Sequence, residues 1–237
     1  MAESALKGRG NWSIDHLTME KHGQTYVPAL GFDWLTPLYD PILRLTLRER
    51  TLKRRLIEQA RIEPGHAVLD LGCGTGTLLI MIKRACPAAR VVGLDGDPKV
   101  LEIARRKIAA AGVDVELHEG MAYDPPLPPA SFDRVLTSLV LHHLSTDEKR
   151  RTLAAMRRLL RPGGQLHIAD FGKPQNMLMW LISTGFRFFD GSERTGANLD
   201  GRLPSLVEEA GYQSVAETER HMTLFGTLAF VRAEAPT

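Results

Sequence analysis

A chain of 237 residues with a formal net charge of +2, 43% apolar and 24% charged residues, has ordinary globular composition and enough apolar material for the core of one α/β domain. So small a net charge gives no electrostatic case for a polyanionic partner, and two cysteines, Cys73 and Cys86, are too few for a disulfide framework or a thiolate metal cluster, so a reducing cytoplasm is expected. The first residues lack the apolar stretch of a secretion signal, and the longest apolar run, Met177 to Ile182, is far short of a membrane span, so neither export nor embedding is expected.

Residues 1 to about 30 carry Gly, Pro and His without a period and are expected to form a loosely held arm. From Leu35 to Arg61 the text turns helical and basic. Leu52, Leu56 and Ala60 recur there at helical spacing, which predicts one packed face, while the basic set from Arg44 to Arg61 reads as a solvated face or a contact for an anionic acceptor or lipid. With no interleaved aromatics, that segment predicts no nucleic-acid platform. We divide the chain into an N-terminal arm and helical cap, 1–61, and a main domain, 62–237.

Apolar strands then alternate with amphipathic helices. His66 to Leu71 predicts a buried strand and Gly76 to Ala85 the helix after it; Arg90 to Leu94 is a second strand. Asp97 caps the next helix, Pro98 suits its first position and Gly112 ends it. Val113 to His118 and Phe132 to Leu139 are the third and fourth strands. Ser145 and Glu148 have capping-box spacing, and Pro162-Gly163-Gly164 closes their helix before a fifth strand, Leu166 to Asp170. This alternation predicts a mainly parallel sheet with helices on both faces. After a short helix from Arg202 to Ala210, Tyr212 to Glu219 and Leu224 to Arg232 are too close for a crossover helix, so they predict a C-terminal antiparallel hairpin at the sheet edge.

The strongest chemical signal is Val68-Leu69-Asp70-Leu71-Gly72-Cys73-Gly74-Thr75-Gly76, where a strand runs into glycines at alternate positions and then a helix. Glycine lets the backbone turn sharply and lets a ligand approach without a Cβ in the way. Asp95, nineteen residues after Gly76, stands at the end of the second strand, where a carboxylate accepts hydrogen bonds from both hydroxyls of a ribose. A dinucleotide fingerprint spaces its glycines G-x-G-x-x-G and seats a pyrophosphate. Here the spacing is G-x-G-x-G, and Asp70, two residues before the first glycine, repels a pyrophosphate but attracts an ammonium. Adenosine joined to an aminoacyl chain without phosphate satisfies both ends; S-adenosylmethionine is such a ligand. A nicotinamide-dependent oxidoreductase stands as the alternative that the glycine spacing disfavours.

With these residues in place the chain resembles the class I methyltransferases, from about Val68 to Asp170 and more weakly to Val231. Further likeness lies in Ser131-Phe132-Asp133-Arg134-Val135, in Leu139-Val140-Leu141-His142-His143-Leu144 and in Arg158-Leu159-Leu160-Arg161-Pro162-Gly163-Gly164. Within that family it is most similar to the ubiquinone/menaquinone-biosynthesis type, to which Leu38-Tyr39-Asp40 adds a weaker likeness. The resemblance implies a Rossmann-like fold with a seven-stranded sheet, and a cofactor site in which Asp70 and Gly72 orient the aminoacyl end. Gly74 and Gly76, with Cys73 in the same loop, would admit the cofactor. Asp95 would hold the ribose with Gly96 beside it, Met121 and Ala122 would lie along the adenine, and Leu139 beneath the methionine chain. Where many members carry Gly-Asp-Ala, this chain has Gly120-Met121-Ala122, so a carboxylate for the adenine amino group is missing. Asp124-Pro125-Pro126-Leu127 superficially resembles the motif of methyltransferases acting on nucleic-acid bases, but it precedes the fourth strand and lacks the aromatic residue, and it reads as a turn.

Methyl transfer needs a base only where the acceptor must lose a proton. His142 and His143, just past the fourth strand, and Asp170, at the end of the fifth, lie at the carboxyl edge where α/β sheets bind ligands and are the candidate catalytic residues. Solvent exposure of one histidine and packing of the other is the plainer alternative. His167, inside a strand, is expected to pack or pair locally. The stretch from Pro174 to Asp190, with Met177, Trp180, Phe186, Phe188 and Phe189, predicts a cover over an acceptor pocket at about 174–200, and Tyr26, Trp34 and Tyr39 close it from the other side. So apolar a cover suggests a small apolar, aromatic or lipid-like acceptor, approached at a membrane surface in the last case; a core helix or a homodimer contact is the competing reading. No metal is expected. Binding of S-adenosylmethionine without catalysis remains a second functional alternative.

Overall fold

Short, near-continuously apolar segments, buried on both faces, build the centre of one sheet in the computed structural model, which describes residues 49–181 and 198–237. In chain order these residues form helix α1 (Glu49–Ala60), β1 (Ala67–Leu71), α2 (Thr77–Ala85), β2 (Arg90–Asp95), α3 (Pro98–Ala111), β3 (Glu116–Glu119) and β4 (Phe132–Ser138). A 3-10 turn (Leu141–His143), α4 (Thr146–Leu159), β5 (Leu160–Phe171), α5 (Leu203–Glu209), β6 (Gln213–Thr223) and β7 (Gly226–Glu234) follow. The 7-stranded sheet has the order β3-β2-β1-β4-β5-β7-β6. Strands β1 to β5 pair in parallel, and β7 pairs antiparallel with both β5 and β6. Strand order reverses between β1 and β4, and at such a point the carboxyl ends of the strands open a crevice.

The helices start and stop where their capping residues dictate. Asp97 accepts the Lys99 N–H at 2.8 Å, Pro98 opens α3, and Gly112 closes it at φ 63°. Both halves of the Ser145–Glu148 capping box are formed at the start of α4. Two apolar clusters cover the two faces of the sheet. Ala67, Leu69 and Leu71 of β1 join Leu153, Met156 and Leu206 on one face, whereas Val68 joins Leu52, Leu56, Leu79 and Leu101 on the other. By the same alternation Asp70 lies on the face that α1 and α2 cover. Helix α1 is fastened there: the Arg134 guanidinium donates to the Ala60 carbonyl at 2.8 Å, Gln59 Nε2 lies 3.1 Å from His167 Nδ1, and Thr218 donates to Gln59 Oε1 at 2.7 Å.

Several sequence-based boundaries move. β5 begins at Leu160 rather than Leu166, and α4 ends at Leu159 before Pro162 is reached, because proline disfavours helical backbone at the residue ahead of it. Leu160 pairs with Phe132 and Gln165 with Arg134, so the residues between them, with Gly163 at φ 72°, form an irregularity inside the strand. β3 covers only Glu116–Glu119; Val113 and Val115 pack against the core without pairing. β4 stops at Ser138, since Leu139 turns to φ 58°. The hairpin strands run to Thr223 and Glu234, each past its expected end, and β7 lies inside the sheet while β6 takes the edge. Among the described residues no helix is long and apolar enough to cross a membrane. Tyr26, Trp34, Tyr39, the Leu38-Tyr39-Asp40 segment, Arg44, Arg48, and Phe186, Phe188 and Phe189 of the expected cover lie outside the described residues.

Candidate functional site

The chain must pass from β1 into α2 within residues 72–76, and Gly72, Gly74 and Gly76 do so at φ 76°, 53° and 77°. A Cβ on Gly72 would lie 2.3 Å from Val140 Cγ2, so this loop and the turn after β4 meet with no room for a side chain. A Cβ on Gly74 would meet nothing within 4 Å; the left-handed backbone selects glycine there, and the space beside it is open. The N–H groups of Gly72 and Cys73 both donate to the Leu94 carbonyl, at 2.7 and 3.0 Å, tying the loop to the end of β2. From α3, Lys107 Nζ donates to the hydroxyls of Thr75 and Thr77 at 2.7 and 2.8 Å.

Two carboxylates flank this loop. Asp95 accepts the Gly74 N–H on Oδ2 at 2.8 Å and the Asp97 N–H on Oδ1 at 3.0 Å. Burial raises its pKa, and those backbone donors oppose the rise. A carboxylate offers about four acceptor sites, so capacity for a ribose hydroxyl remains beside the Gly74, Asp97 and Gly96 backbone groups that act on it. Asp70 is 1% exposed, and its Oδ1 has no hydrogen-bond partner. Burial pushes its carboxyl from 3.8 up to about 7, with the Lys53 ammonium pulling it down and Asp95 pushing it further up. An orphaned, buried acceptor is costly unless a donor arrives, and a cation is the donor that a carboxylate holds best. Burial, with Asp70 and Asp95 nearby, pushes the Cys73 thiol far up, so it lines the loop as an unreactive side chain.

Beyond Asp95, a Cβ on Gly96 would lie 3.0 Å from Met121 Sδ, which sets Met121 against the end of β2. The Gly120 N–H donates to the Asp95 carbonyl at 3.0 Å, and Ala122 packs against the core. Met121 bridges to Asp124, so the turn spans residues 121–124, just ahead of the Asp124–Leu127 segment expected to make it, where the Leu127 N–H returns to the Pro125 carbonyl. Leu139 donates its N–H to the Ala169 carbonyl at 2.9 Å and is partly buried at the end of β4.

His142 and Asp170 come together, with His142 Nδ1 2.8 Å from Asp170 Oδ1. Asp170 is fully buried and also accepts the N–H groups of Leu141 at 2.7 Å, Val140 at 3.1 Å and Phe171 at 2.7 Å. Burial opposes its charge, but His142 and these donors hold the carboxyl below its ordinary value. An ionised carboxylate only accepts, so Nδ1 of His142 must carry the proton and Nε2 is left as the basic nitrogen. His143 lies tilted against His142 at 3.9 Å between ring centroids, and Phe171 meets His142 edge-on. Asn198 Nδ2 donates to the Phe171 carbonyl and lies 3.4 Å from Asp170 Oδ1. His167 is buried and its partner is Gln59 of α1, far off in sequence; burial and the nearby Arg134 and Arg232 push it down to about 3. A cleft of about 620 Å³ opens past β5, lined by Lys173, Asn176, Met177, Trp180 and Leu199 among others.

Sequence reasoning did not single out Glu49, Lys53 or Asn198. Lys53 belongs to the basic set that reads as a solvated face or an anion contact, yet its Nζ lies 2.5 Å from Glu49 Oε1 and the two side chains are only 12% and 6% exposed. The usable signal was the Glu-to-Lys spacing of four on the helix that carries Leu52 and Leu56.

The chain matches the family of methyltransferase domains over residues 68–164. It is 37% identical to a demethylmenaquinone methyltransferase of Thermus thermophilus over 64% of this chain and 69% of that protein. A second demethylmenaquinone methyltransferase, from Symbiobacterium thermophilum, is 31% identical over 87% of this chain and 91% of its own. Among solved structures, the S-adenosylmethionine-dependent methyltransferase SibL is 26% identical with a TM-score of 0.63, over 78% of this chain and 55% of that one. The [4+2]-cyclase SpnF shares the fold at 18% identity and a TM-score of 0.63, over 79% of this chain and 81% of its own, so the fold by itself does not fix the chemistry.

Proposed function

This chain belongs to the class I S-adenosylmethionine-dependent methyltransferases of the ubiquinone/menaquinone-biosynthesis type, and we propose that it methylates a small apolar, aromatic or lipid-like acceptor, with Asp70 and Asp95 holding the two ends of the cofactor. The observation that carries the cofactor half is the unpartnered, buried Oδ1 of Asp70 at the end of β1, with open space at Gly74 in the loop that follows. When bound, the cofactor supplies a methyl group on a sulfonium, open to in-line displacement. Asp70 takes its ammonium, Asp95 takes a ribose hydroxyl with the acceptor capacity the backbone leaves free, and Met121 packs on the adenine in place of an acidic side chain. Gly72, Cys73, Gly76, Gly96, Ala122 and Leu139 shape the walls of the same pocket.

For the acceptor, Nε2 of His142 takes the proton that a hydroxyl or an acidic carbon loses, and Asp170 is a positioning residue that fixes the imidazole. Asp170 itself has no exposed surface, so it acts through His142. His143 braces the ring. Met177, Leu178, Trp180 and Leu181 are 77%, 62%, 54% and 63% exposed beside the cleft, which supports an apolar acceptor and a membrane-surface approach. The relatives named for demethylmenaquinone support the same class.

The test is incubation of the full chain with isotope-labelled S-adenosylmethionine and a panel of quinols, phenols, amines and phospholipids, read by mass spectrometry. We expect label in an apolar aromatic or prenylated acceptor and a loss of about 100-fold or more in turnover for His142→Gln with protic acceptors. Label only in a charged polar amine would overturn the acceptor class. Tight cofactor binding with no product from any acceptor would favour binding without catalysis.

A further inference from the structure

We propose that Lys53 on α1 holds the carboxylate of the cofactor's aminoacyl end, while the unpartnered Oδ1 of Asp70 receives its ammonium. The proposal deepens the cofactor reading above and rests on it.

Where α1 covers the face of β1 that carries Asp70, Lys53 is the cation whose field reaches that carboxyl, and Glu49 holds Lys53 from the preceding turn of the helix. Asp70 is 1% and Glu49 5% exposed, and Lys53 lies against Glu49 at 2.5 Å. Each carboxylate has one buried oxygen without a hydrogen-bond partner, Oδ1 of Asp70 and Oε2 of Glu49. The Asp70 acceptor asks for a donor, and an ammonium carries three. A cation that enters with its own carboxylate is matched there only if a second cation faces the incoming anion, and Lys53 is the one whose field reaches Asp70. A zwitterion is thus the ligand that matches this arrangement, and the aminoacyl end of S-adenosylmethionine is one.

Placement supports the match. Val68 and Asp70 share a face of β1, and Val68 packs with Leu52 and Leu56, the apolar neighbours of Lys53 on α1. The field of Lys53 reaches both Asp70 and Cys73, so the ammonium lies near the loop. Helix α1 cannot drift, because Gln59, Ala60 and Arg55 fasten it to β5, β4 and β6 through His167, Arg134 and Glu219. Of the three donors on Nζ, Glu49 takes one, which leaves capacity for a carboxylate without breaking the existing pair.

The experiment compares S-adenosylhomocysteine with its decarboxylated analogue, which keeps the nucleoside, thioether and amine, by calorimetry on the full chain. The wild type should prefer the carboxylate-bearing ligand by about 10- to 100-fold, the scale of a hydrogen bond to a charged group. Lys53→Met should erase that preference by weakening S-adenosylhomocysteine alone, and Lys53→Arg should keep most of it. Equal weakening of both ligands by Lys53→Met marks a structural role and overturns the proposal, as does a wild type that binds both alike. Should Lys53→Met fail to fold, the wild-type preference and the Lys53→Arg titration decide. Absence of binding by both ligands to the wild type removes the cofactor assignment itself, and this one with it.

Discussion

Asp70 is a carboxyl whose burial and whose task pull in opposite directions. Its pKa lies near 7 in the folded protein against about 3.9 in an unfolded chain. Between those values the folded state holds a proton that the unfolded state has released. Its contribution to stability is therefore fully present below about pH 4 and is lost as pH rises through about 7. A bound ammonium reverses this preference by favouring the ionised form. Affinity for S-adenosylhomocysteine should consequently rise between pH 5.5 and about 7.5, with close to one proton released per ligand at the lower end. Calorimetry in buffers of different ionisation enthalpy measures that release directly. Proton uptake at pH 6, or a pH-independent affinity that Asp70→Asn leaves unchanged, would show that Asp70 is not the ammonium's partner. Asp170 has the opposite sign, since His142 and three backbone donors hold its carboxyl low, and it stays ionised throughout this range. Sequence spacing was enough to mark Asp70 and Asp95, because the strand ends and the glycine loop are local features. The Lys53–Glu49 pair was legible in its spacing of four, but the nearness of Lys53 to Asp70 was not, because it is fixed by how α1 lies on the sheet.

At the level of elements, the glycine loop and the turn after β4 are one packed unit, and Gly72 is where they touch. Gly72→Ala would place a Cβ 2.3 Å from Val140 Cγ2 at a φ of 76°. Overpacking and left-handed strain together predict a loss of about 2–5 kcal/mol. Val140→Ala removes the clashing methyl groups but leaves the strain, so the double variant should recover part of the loss relative to Gly72→Ala alone. Urea denaturation of the four proteins in that cycle measures the coupling. A Gly72→Ala single variant as stable as wild type would refute the contact. The sequence showed that a sharp turn was needed after β1, but the identity of the residue pressing on Gly72 depends on tertiary packing. The same limit explains the misplaced start of β5. Pro162-Gly163-Gly164 is a strong stop signal for a helix, yet α4 had already ended, and the pairing of Leu160 with Phe132 draws the Pro-Gly-Gly segment into the sheet. Capping residues were the most legible feature of the elements, because Asp97 and Ser145 act on backbone donors only two or three positions away.

For the whole molecule, alternation of strands and helices was sufficient to predict a parallel sheet ending in a hairpin, but not that the last strand would lie inside it. β7 pairs with β5 from Gln165–Glu234 to Phe171–Leu228 and with β6 on its other side, and most of its residues are buried. It also joins the core that β1 and α1 share, through Phe230 beside Val68 and Leu56. An interior strand bound on both sides cannot open alone without stranding its neighbours' backbone groups, so its amides should exchange only when the whole sheet unfolds. The candidate cofactor crevice lies between β1, β2 and β4, and β5 stands between these strands and β7 in sheet order. Ligand at about 100 times its Kd stabilises the folded state by about 2.7 kcal/mol, equivalent to about 100-fold in the unfolding equilibrium. If the chain is one cooperative unit, S-adenosylhomocysteine at that concentration should slow amide exchange in β7 by the same factor as in β1, although no residue of β7 belongs to the proposed site. Hydrogen exchange read by mass spectrometry resolves the two segments. Protection confined to peptides from the glycine loop and β2, with β7 unchanged, would mean that the hairpin opens as a separate unit; NADH, whose pyrophosphate Asp70 repels, should protect neither segment.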